Sequence, residues 1–445
     1  MHAYPNRLCR FHLGKRIFLC AVTALLSCAI VFLAPHPAHA GDPGTPIAAI
    51  VEFFTITQPV DHTDPSGSTF EEEVYVLIPD GAGLDSPVFF ILGYEDDLDQ
   101  AYLIRHYEKY GLPDDVIFIT AEHRGYGQSL TCDPDQSVPA YVSIPQALAD
   151  YHRVVTMLKE TYTGPWMGVG YSYGGALVIN FASLYPEDVK LILSSSGVVD
   201  WPFLAYGYED QVRANFGDKL YDRIVTHVNN LEPVEVFDET WQEREFLLAL
   251  VSGLAQLQQF EKYIPLFKAL SMIPTPLFLK AMHFIDDNMA LGAAWEYAYS
   301  RSRLTLSREE AATGRYSWRV YMYQQCTEFF DFWMSREEGG LYTRSVEDYC
   351  EECETMFGEN LLENSENQWM VRDMVPGLSV PMVYVNGGLD PWGDLCLEPD
   401  YPLENGEYLY FPDKKHCPDN KDAEIGSRVL AVMLEILAEN TDFRH

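Results

Sequence analysis

Gly170-Tyr171-Ser172-Tyr173-Gly174-Gly175 decides how this chain is read. The apolar run Trp166-Met167-Gly168-Val169 precedes it and reads as a buried strand. Ala176-Leu177-Val178-Ile179-Asn180-Phe181-Ala182 follows and reads as the start of a packed helix. A serine placed between strand and helix sits on a sharp, strained turn, so the residues two before and two after it must lack a bulky side chain. Gly170 and Gly174 meet that need. Elsewhere a Gly-x-Ser-x-Gly stretch is an ordinary turn; here the strand and helix on either side predict a nucleophile elbow.

An elbow serine needs a base, and the base needs an orienting acid. On α/β-hydrolase scaffolds these follow in the order Ser, Asp or Glu, His. Asp390 lies just after a late strand signal, in Asn386-Gly387-Gly388-Leu389-Asp390-Pro391-Trp392, with Asp394 as the alternative acid. His416 lies after the next strand signal, in Phe411-Pro412-Asp413-Lys414-Lys415-His416-Cys417. The terminal His445 is the other histidine beyond Asp390. His62 and His123 precede the elbow, and His106, His152, His227 and His283 fall in helical stretches; these read as structural histidines. The predicted catalytic set is Ser172, Asp390 and His416. The backbone N–H of Tyr173 should stabilise an oxyanion, with a second donor from Leu92-Gly93-Tyr94-Glu95, for which Tyr94 is favoured. Glu95 either holds a substrate amine or caps a helix beginning near Asp96.

Around this site the chain alternates strand and helix signals in two regions. Residues 41–200 carry Ile50–Thr57 and Glu73–Ile78 as opening edge strands, and Val88–Leu92 and Val116–Thr120 as buried strands. Pro145–Tyr162 follows as a helix, then the elbow unit and the strand Leu191–Ser195. Residues 375–445 return to the pattern with Met382–Val385, Glu407–Phe411 and a closing helix Ser427–Ala438. Such alternation predicts an α/β-hydrolase core with a mostly parallel sheet. Residues 201–374 hold amphipathic stretches such as Trp241–Leu257 and Lys262–Leu270 and many aromatic residues. They read as an inserted helical cap, or as an ordinary helical bundle.

Residues 1–40 read as a signal peptide: basic positions from Arg7 to Arg16, an apolar run Ile17–Leu33, and Ala38-His39-Ala40 as the cleavage site. A retained membrane anchor and a lipidated Cys28 are the competing readings. Export, with cleavage near Ala40, places the protein in the medium, the periplasm or at the cell surface, and any membrane contact is transient. The 445-residue chain has a net charge of −36, which disfavours nucleic acid and anionic membranes. Six cysteines follow the signal: Cys132, Cys326, Cys350, Cys353, Cys396 and Cys417. An even number in an exported chain predicts three disulfides. A Cys396–Cys417 bond would tie the acid and base loops together. Cys350-x-x-Cys353 has no second such pair, so zinc or redox chemistry is not expected. No metal or other cofactor is expected, and a homodimer is compatible with the sequence.

Several motifs together resemble the serine peptidase family that includes lysosomal Pro-Xaa carboxypeptidase and dipeptidyl peptidase II, and the related secreted bacterial tripeptidyl aminopeptidases. They are Gln58-Pro59-Val60-Asp61-His62 with Thr69-Phe70, Glu122-His123-Arg124-Gly125-Tyr126-Gly127-Gln128-Ser129, Gln146–Asp150, Gly-x-Ser-Tyr-Gly-Gly, Gln325-Cys326-Thr327-Glu328-Phe329, the Asp390 loop and His416-Cys417-Pro418-Asp419. Two positions depart: the family's Gly-Gly-Glu loop reads Gly93-Tyr94-Glu95, and Tyr171 stands before Ser172 where the family has Gly. Asp150-Tyr151-His152-Arg153 resembles the tripeptidyl aminopeptidase branch, whereas the Cys326 motif resembles the carboxypeptidase and dipeptidyl peptidase branch. The resemblance implies a serine exopeptidase acting on short peptides, usually after proline, of either direction. A covered site must anchor the free chain terminus, and Glu95 and Glu328 are the candidates to bind a substrate amine. An esterase or lipase on the same fold is the rival enzyme, and a catalytically silent binding protein the rival of another class.

Overall fold

The computed structural model describes residues 49–95, 97–133, 138–231, 237, 239–289, 293–307, 315–365 and 369–440. The signal segment lies outside the described residues. Ten strands are described: β1 (Ala49–Pro59), β2 (Thr69–Pro79), β3 (Val88–Leu92), β4 (Ile117–Ala121), β5 (Trp166–Tyr171), β6 (Leu191–Ser195), β7 (Leu204–Ala205), β8 (Phe332–Trp333), β9 (Met382–Gly387) and β10 (Gly406–Phe411). Eight form one sheet in the order β1-β2-β4-β3-β5-β6-β9-β10. β2 runs antiparallel to both β1 and β4, and the other neighbours are parallel. This is the α/β-hydrolase arrangement the alternating signals predicted. β2 is sandwiched between β1 and β4, so of the two expected opening edges only β1 is one.

The central strands are apolar throughout because both sheet faces are covered. Val88, Phe90 and Leu92 point into the larger cluster, beneath the helices Ile144–Leu158 and Tyr173–Leu184. Phe89 and Ile91 point into the opposite cluster, beneath Gln100–Lys109 and Ala423–Asn440. On β5 the larger side chains Met167, Val169 and Tyr171 take one face. Gly168 and Gly170 take the other, where the elbow helix lies close: a Cβ on Gly170 would stand 1.9 Å from the Gly174 carbonyl oxygen.

Most motif residues near the N-terminal half build a buried polar brace. Arg124 is fully buried and donates to Asp150 at 2.7 Å and to the carbonyls of Pro59 and Val60 at 3.0 and 2.8 Å. His62 shares a 2.7 Å bond with the same Asp150, and Gln58 donates to Glu72 at 2.6 Å. Glu122 accepts from the backbone N–H groups of Leu98, Gln128 and Ser129, each at 2.9 Å. The brace ties the antiparallel edge to the helix Ile144–Leu158. Asp150→Ala would strand a buried guanidinium, and a loss of about 3–5 kcal/mol is expected in urea unfolding.

Between β6 and β9 the chain is helical, from Gly207–Phe216 to Leu361–Asn364. Its sole sheet among the described residues is the two-residue parallel pair β7–β8, a small departure from an all-helical insert. The helix Gln100–Lys109 is capped by Asp99, whose side chain accepts from Tyr102 N–H at 2.6 Å. The alternative in which Glu95 caps a helix starting near Asp96 is therefore overturned: the cap is Asp99, and Asp96 lies outside the described residues.

Candidate active site

Parallel strands deliver their C-terminal ends to one edge, and the segments that follow β5, β9 and β10 carry the three expected residues. Ser172 follows β5 directly, with φ 54°, in the left-handed region that a non-glycine residue avoids. It is half-buried between the buried rings of Tyr171 and Tyr173. Its N–H donates to the Ser195 carbonyl at 2.9 Å, which pins the turn to the end of β6. The helix Tyr173–Leu184 starts at once, and the N–H groups of Gly175 and Ala176 donate to the Ser172 carbonyl at 2.9 and 3.3 Å.

Asp390 is buried after β9, where its Oδ1 accepts from Trp392 N–H at 3.0 Å. Its Oδ2 lies 2.8 Å from His416 Nδ1, after β10. Burial alone would push the imidazole pKa down; the Asp390 carboxylate and the Cys417 thiol outweigh it and hold His416 well above the ordinary histidine value. Bonding through Nδ1 leaves Nε2 as the ring nitrogen for proton transfer. The alternative acid, Asp394, is exposed. The base loop is fixed from below by Asp419, which accepts from Tyr110 Oη at 2.6 Å and from Ser195 Oγ. From the insert, Gln258 accepts from Lys415 N–H at 2.9 Å and donates to the His416 carbonyl at 3.0 Å.

The loop after β3 passes over the elbow. Gly93 has no room for a side chain, since a Cβ would stand 2.4 Å from His123 N. A Cβ on Gly174 would lie 3.4 Å from Tyr94 Cβ, so the two segments are in contact. Tyr151 Oη donates to the Gly93 carbonyl at 3.0 Å. In a trans peptide the following N–H points the opposite way. The Tyr94 N–H therefore points away from Tyr151.

The remaining histidines have partners that account for them. His106 and His123 are buried and pushed down to about 4, which keeps them neutral. His152 pairs with Asp188 at 2.6 Å and His283 with Glu243 at 2.8 Å. His227 lies 3.1 Å from the Ser271 carbonyl. Glu328, expected as an amine-binding candidate, is taken up locally. Its two oxygens accept from Ile144 N–H at 2.9 and 3.1 Å, at the start of the helix Ile144–Leu158, and burial pushes its pKa up to about 7.

The resemblance implies a small apolar pocket walled by elbow and cap aromatics, and the structure supplies such rings; the buried Asp331 beside them has no motif of its own. An aromatic wall surrounds the residue after the nucleophile: Tyr173 packs on Phe329 at 5.2 Å and Trp369 at 6.0 Å, and Trp201 lies 5.0 Å from Phe329. Asp331, two residues beyond Phe329, is a buried carboxylate. The disulfides also differ from expectation. Among the described residues Cys326 bonds Cys353, and Cys132, Cys350, Cys396 and Cys417 are free. The Cys396–Cys417 bond is absent because Cys417 is turned toward β6: its thiol faces the Ser195 carbonyl at 3.6 Å, and its N–H donates to Ser196 Oγ at 2.9 Å.

Fold and edge together define an α/β-hydrolase. The family described as Serine carboxypeptidase S28 matches residues 58–273, a span that includes Ser172. A prolyl tri/tetrapeptidyl aminopeptidase of Streptomyces mobaraensis is 31% identical over 172 residues, which cover 37% of this chain and 32% of that protein. Human lysosomal Pro-X carboxypeptidase is 26% identical over 339 residues, covering 62% and 64%. The chain thus spans less than two thirds of the length of these relatives. The peroxisomal alpha-beta-hydrolase Lpx1 of Saccharomyces cerevisiae aligns over 89% of this chain and 92% of its own, with a TM-score of 0.46 and 10% identity, a likeness of fold alone. The resemblance to the S28 serine peptidases is borne out, and the similarities support a serine-type peptidase.

Proposed function

We propose that the protein is an exported serine exopeptidase that hydrolyses short peptides, preferentially after proline, through an acyl-enzyme. The observation that carries this reading is the 2.8 Å His416–Asp390 pair at the same sheet edge as the strained Ser172. Ser172 Oγ attacks the scissile carbonyl as His416 Nε2 takes its proton; Asp390 holds the ring and favours the imidazolium. The N–H groups of Tyr173 and Tyr94 receive the oxyanion. The imidazolium then protonates the leaving amine, and water repeats the cycle to free the acid. Residues 201–374 act as a cap that excludes folded proteins. The aromatic wall of Tyr173, Trp201, Phe329 and Trp369 offers a flat apolar surface suited to a proline ring. The disulfide Cys326–Cys353 and the lysosomal human relative are consistent with an extracellular or lumenal location, and export rests on the signal segment.

An esterase on the same fold would use the same three residues. A fluorophosphonate probe and a library of short proline-containing peptides, read by mass spectrometry beside simple esters, separate the readings. Labelling of Ser172 with cleavage after proline is expected. Labelling with ester turnover and no peptide cleavage would establish the esterase, and no labelling of the folded protein would leave only a binding protein.

A further inference from the structure

The base loop is gripped from two sides by residues that the triad chemistry does not use. On one side is the end of β6, which lies between β5 and β9 in the sheet, and where Ser195 and Ser196 are fully buried. The Ser195 carbonyl accepts from Ser172 N–H at 2.9 Å. Ser196 has φ 46°, a left-handed backbone for a non-glycine residue, and its N–H donates to the Val385 carbonyl on β9 at 2.7 Å. Its hydroxyl donates to Asn386 Oδ1 at 3.2 Å, where the acid loop begins, and accepts from Cys417 N–H at 2.9 Å. Cys417 is left-handed as well, with φ 47°. Two such residues bonded to each other persist only where their surroundings fix them, and here they stand beside His416.

The Cys417 N–H belongs to the peptide group that follows His416, and the other end of that group is held from the helical insert. Gln258 Nε2 donates to the His416 carbonyl at 3.0 Å, and Gln258 Oε1 accepts from Lys415 N–H at 2.9 Å. The N–H and C=O of a trans peptide point opposite ways, so Ser196 and Gln258 hold one peptide plane from its two ends. That plane sets ψ of His416, and so the orientation of the Cα from which the imidazole projects. Gln258 is itself placed by Phe260, which is buried against Phe216 at 4.5 Å and Phe267 at 5.2 Å. Lys415 Nζ adds a bond to the Leu257 carbonyl at 3.0 Å and an ion pair with Glu261 at 2.6 Å. The acid and base loops are also fastened to each other directly, with Leu389 N–H donating to the Lys414 carbonyl at 2.8 Å. The Asp390–His416 pair thus has its own support, and what Ser196 and Gln258 add is the position of the base relative to Ser172.

We propose that Gln258 and Ser196 are positioning residues that clamp the peptide after His416, so that the register of the base with Ser172 is set jointly by the sheet and by residues 257–261 of the insert. This rests on the serine-peptidase reading above. The insert then does more than cover the site, because the base is aligned for proton transfer when that segment is seated. Misplacing a catalytic group by about 1 Å can cost on the order of a hundredfold in rate, so a clamp on its backbone has leverage on kcat.

The test uses the whole protein and one short proline-containing peptide, with kcat expressed per serine titrated by a fluorophosphonate. Gln258→Ala and Ser196→Ala should each lower kcat and the rate constant of fluorophosphonate labelling by about tenfold to a hundredfold, with KM changed by less than about threefold. Gln258→Glu keeps the acceptor for Lys415 N–H but sets an oxygen against the His416 carbonyl, so it should lose as much as Gln258→Ala. Glu261→Gln weakens the fastening of the insert without touching that peptide, and should leave kcat within about twofold. Because both residues hold one plane, the double variant of Ser196→Ala with Gln258→Ala should lose clearly less than the product of the single losses. Normal kcat and labelling in folded Gln258→Ala or Gln258→Glu, a change confined to KM, or an equal loss in Glu261→Gln would overturn the clamp. So would single losses that simply multiply. Circular dichroism checks each fold, and if Ser196→Ala does not fold, the Gln258 variants decide alone. An unaltered protein that neither labels nor hydrolyses peptides would instead defeat the serine-peptidase reading itself.

Discussion

Ser172→Ala will lower peptide hydrolysis by about 10⁴-fold or more and abolish fluorophosphonate labelling, while the protein stays folded. The fold should tolerate the change because alanine keeps the Cβ that the turn already accommodates, and Ser172 contributes its backbone N–H, not its hydroxyl, to the bond with Ser195. The strain at φ 54° is a cost the elbow carries in order to present the hydroxyl. Ser172→Gly therefore separates the two effects. It should be equally inactive but more stable, by up to about 1 kcal/mol, since glycine enters this region freely and the gain is offset by a more flexible unfolded chain. Denaturant midpoints for the three proteins, with circular dichroism as the fold check, measure this. A folded alanine variant with near-normal turnover would remove Ser172 from the chemistry.

How much of this was legible in sequence follows from which interactions are local. The elbow was legible because strand, glycines and helix are consecutive. The acid and base loops were legible because each follows a strand and the order along the chain is fixed by the scaffold. The buried strands were placed to within a residue, β4 beginning at Ile117 instead of Val116, whereas β2 starts at Thr69, four residues before the expected Glu73. What was not legible depends on partners far apart in sequence. Glu328 could be read as an amine anchor or as a structural partner, and its bond with Ile144, 184 residues away in sequence, places it at a helix start. Arg124, Glu122 and Asp150 stood out as motif residues, yet their buried bonds make them a brace. The Tyr173 wall draws on Trp201, Phe329 and Trp369, and no periodicity links those positions. Asp331 had no motif of its own; only its burial singles it out. Disulfide pairing failed for the same reason, since the direction of the Cys417 thiol is set by β6.

His416→Ala should cost about as much as the loss of Ser172, because nucleophile and base act as one unit. Asp390→Asn should cost somewhat less, on the order of 10³–10⁴-fold: the amide can keep the ring in place but cannot favour the imidazolium. The 2.8 Å Asp390–His416 contact also sets the pH dependence. His416 must be neutral to accept the serine proton, and its pKa is held well above the ordinary histidine value. Activity is therefore expected to be low in acid and to rise with pH through that raised value, later than an unpaired histidine would allow. Asp390→Asn removes the charge responsible, so the rising limb in the residual activity should move to lower pH. The stability linkage runs the opposite way. A raised folded-state value means that the charged pair stabilises the fold at pH below the unfolded histidine pKa, and that this contribution fades as pH rises through the folded one. Acid should thus inactivate the enzyme at this site without loosening it. Profiles of kcat/KM against pH for the unaltered and Asp390→Asn proteins, with denaturant midpoints at the same pH values, test both halves. A rising limb that stays in place when the carboxylate is removed would show that another group supplies the base.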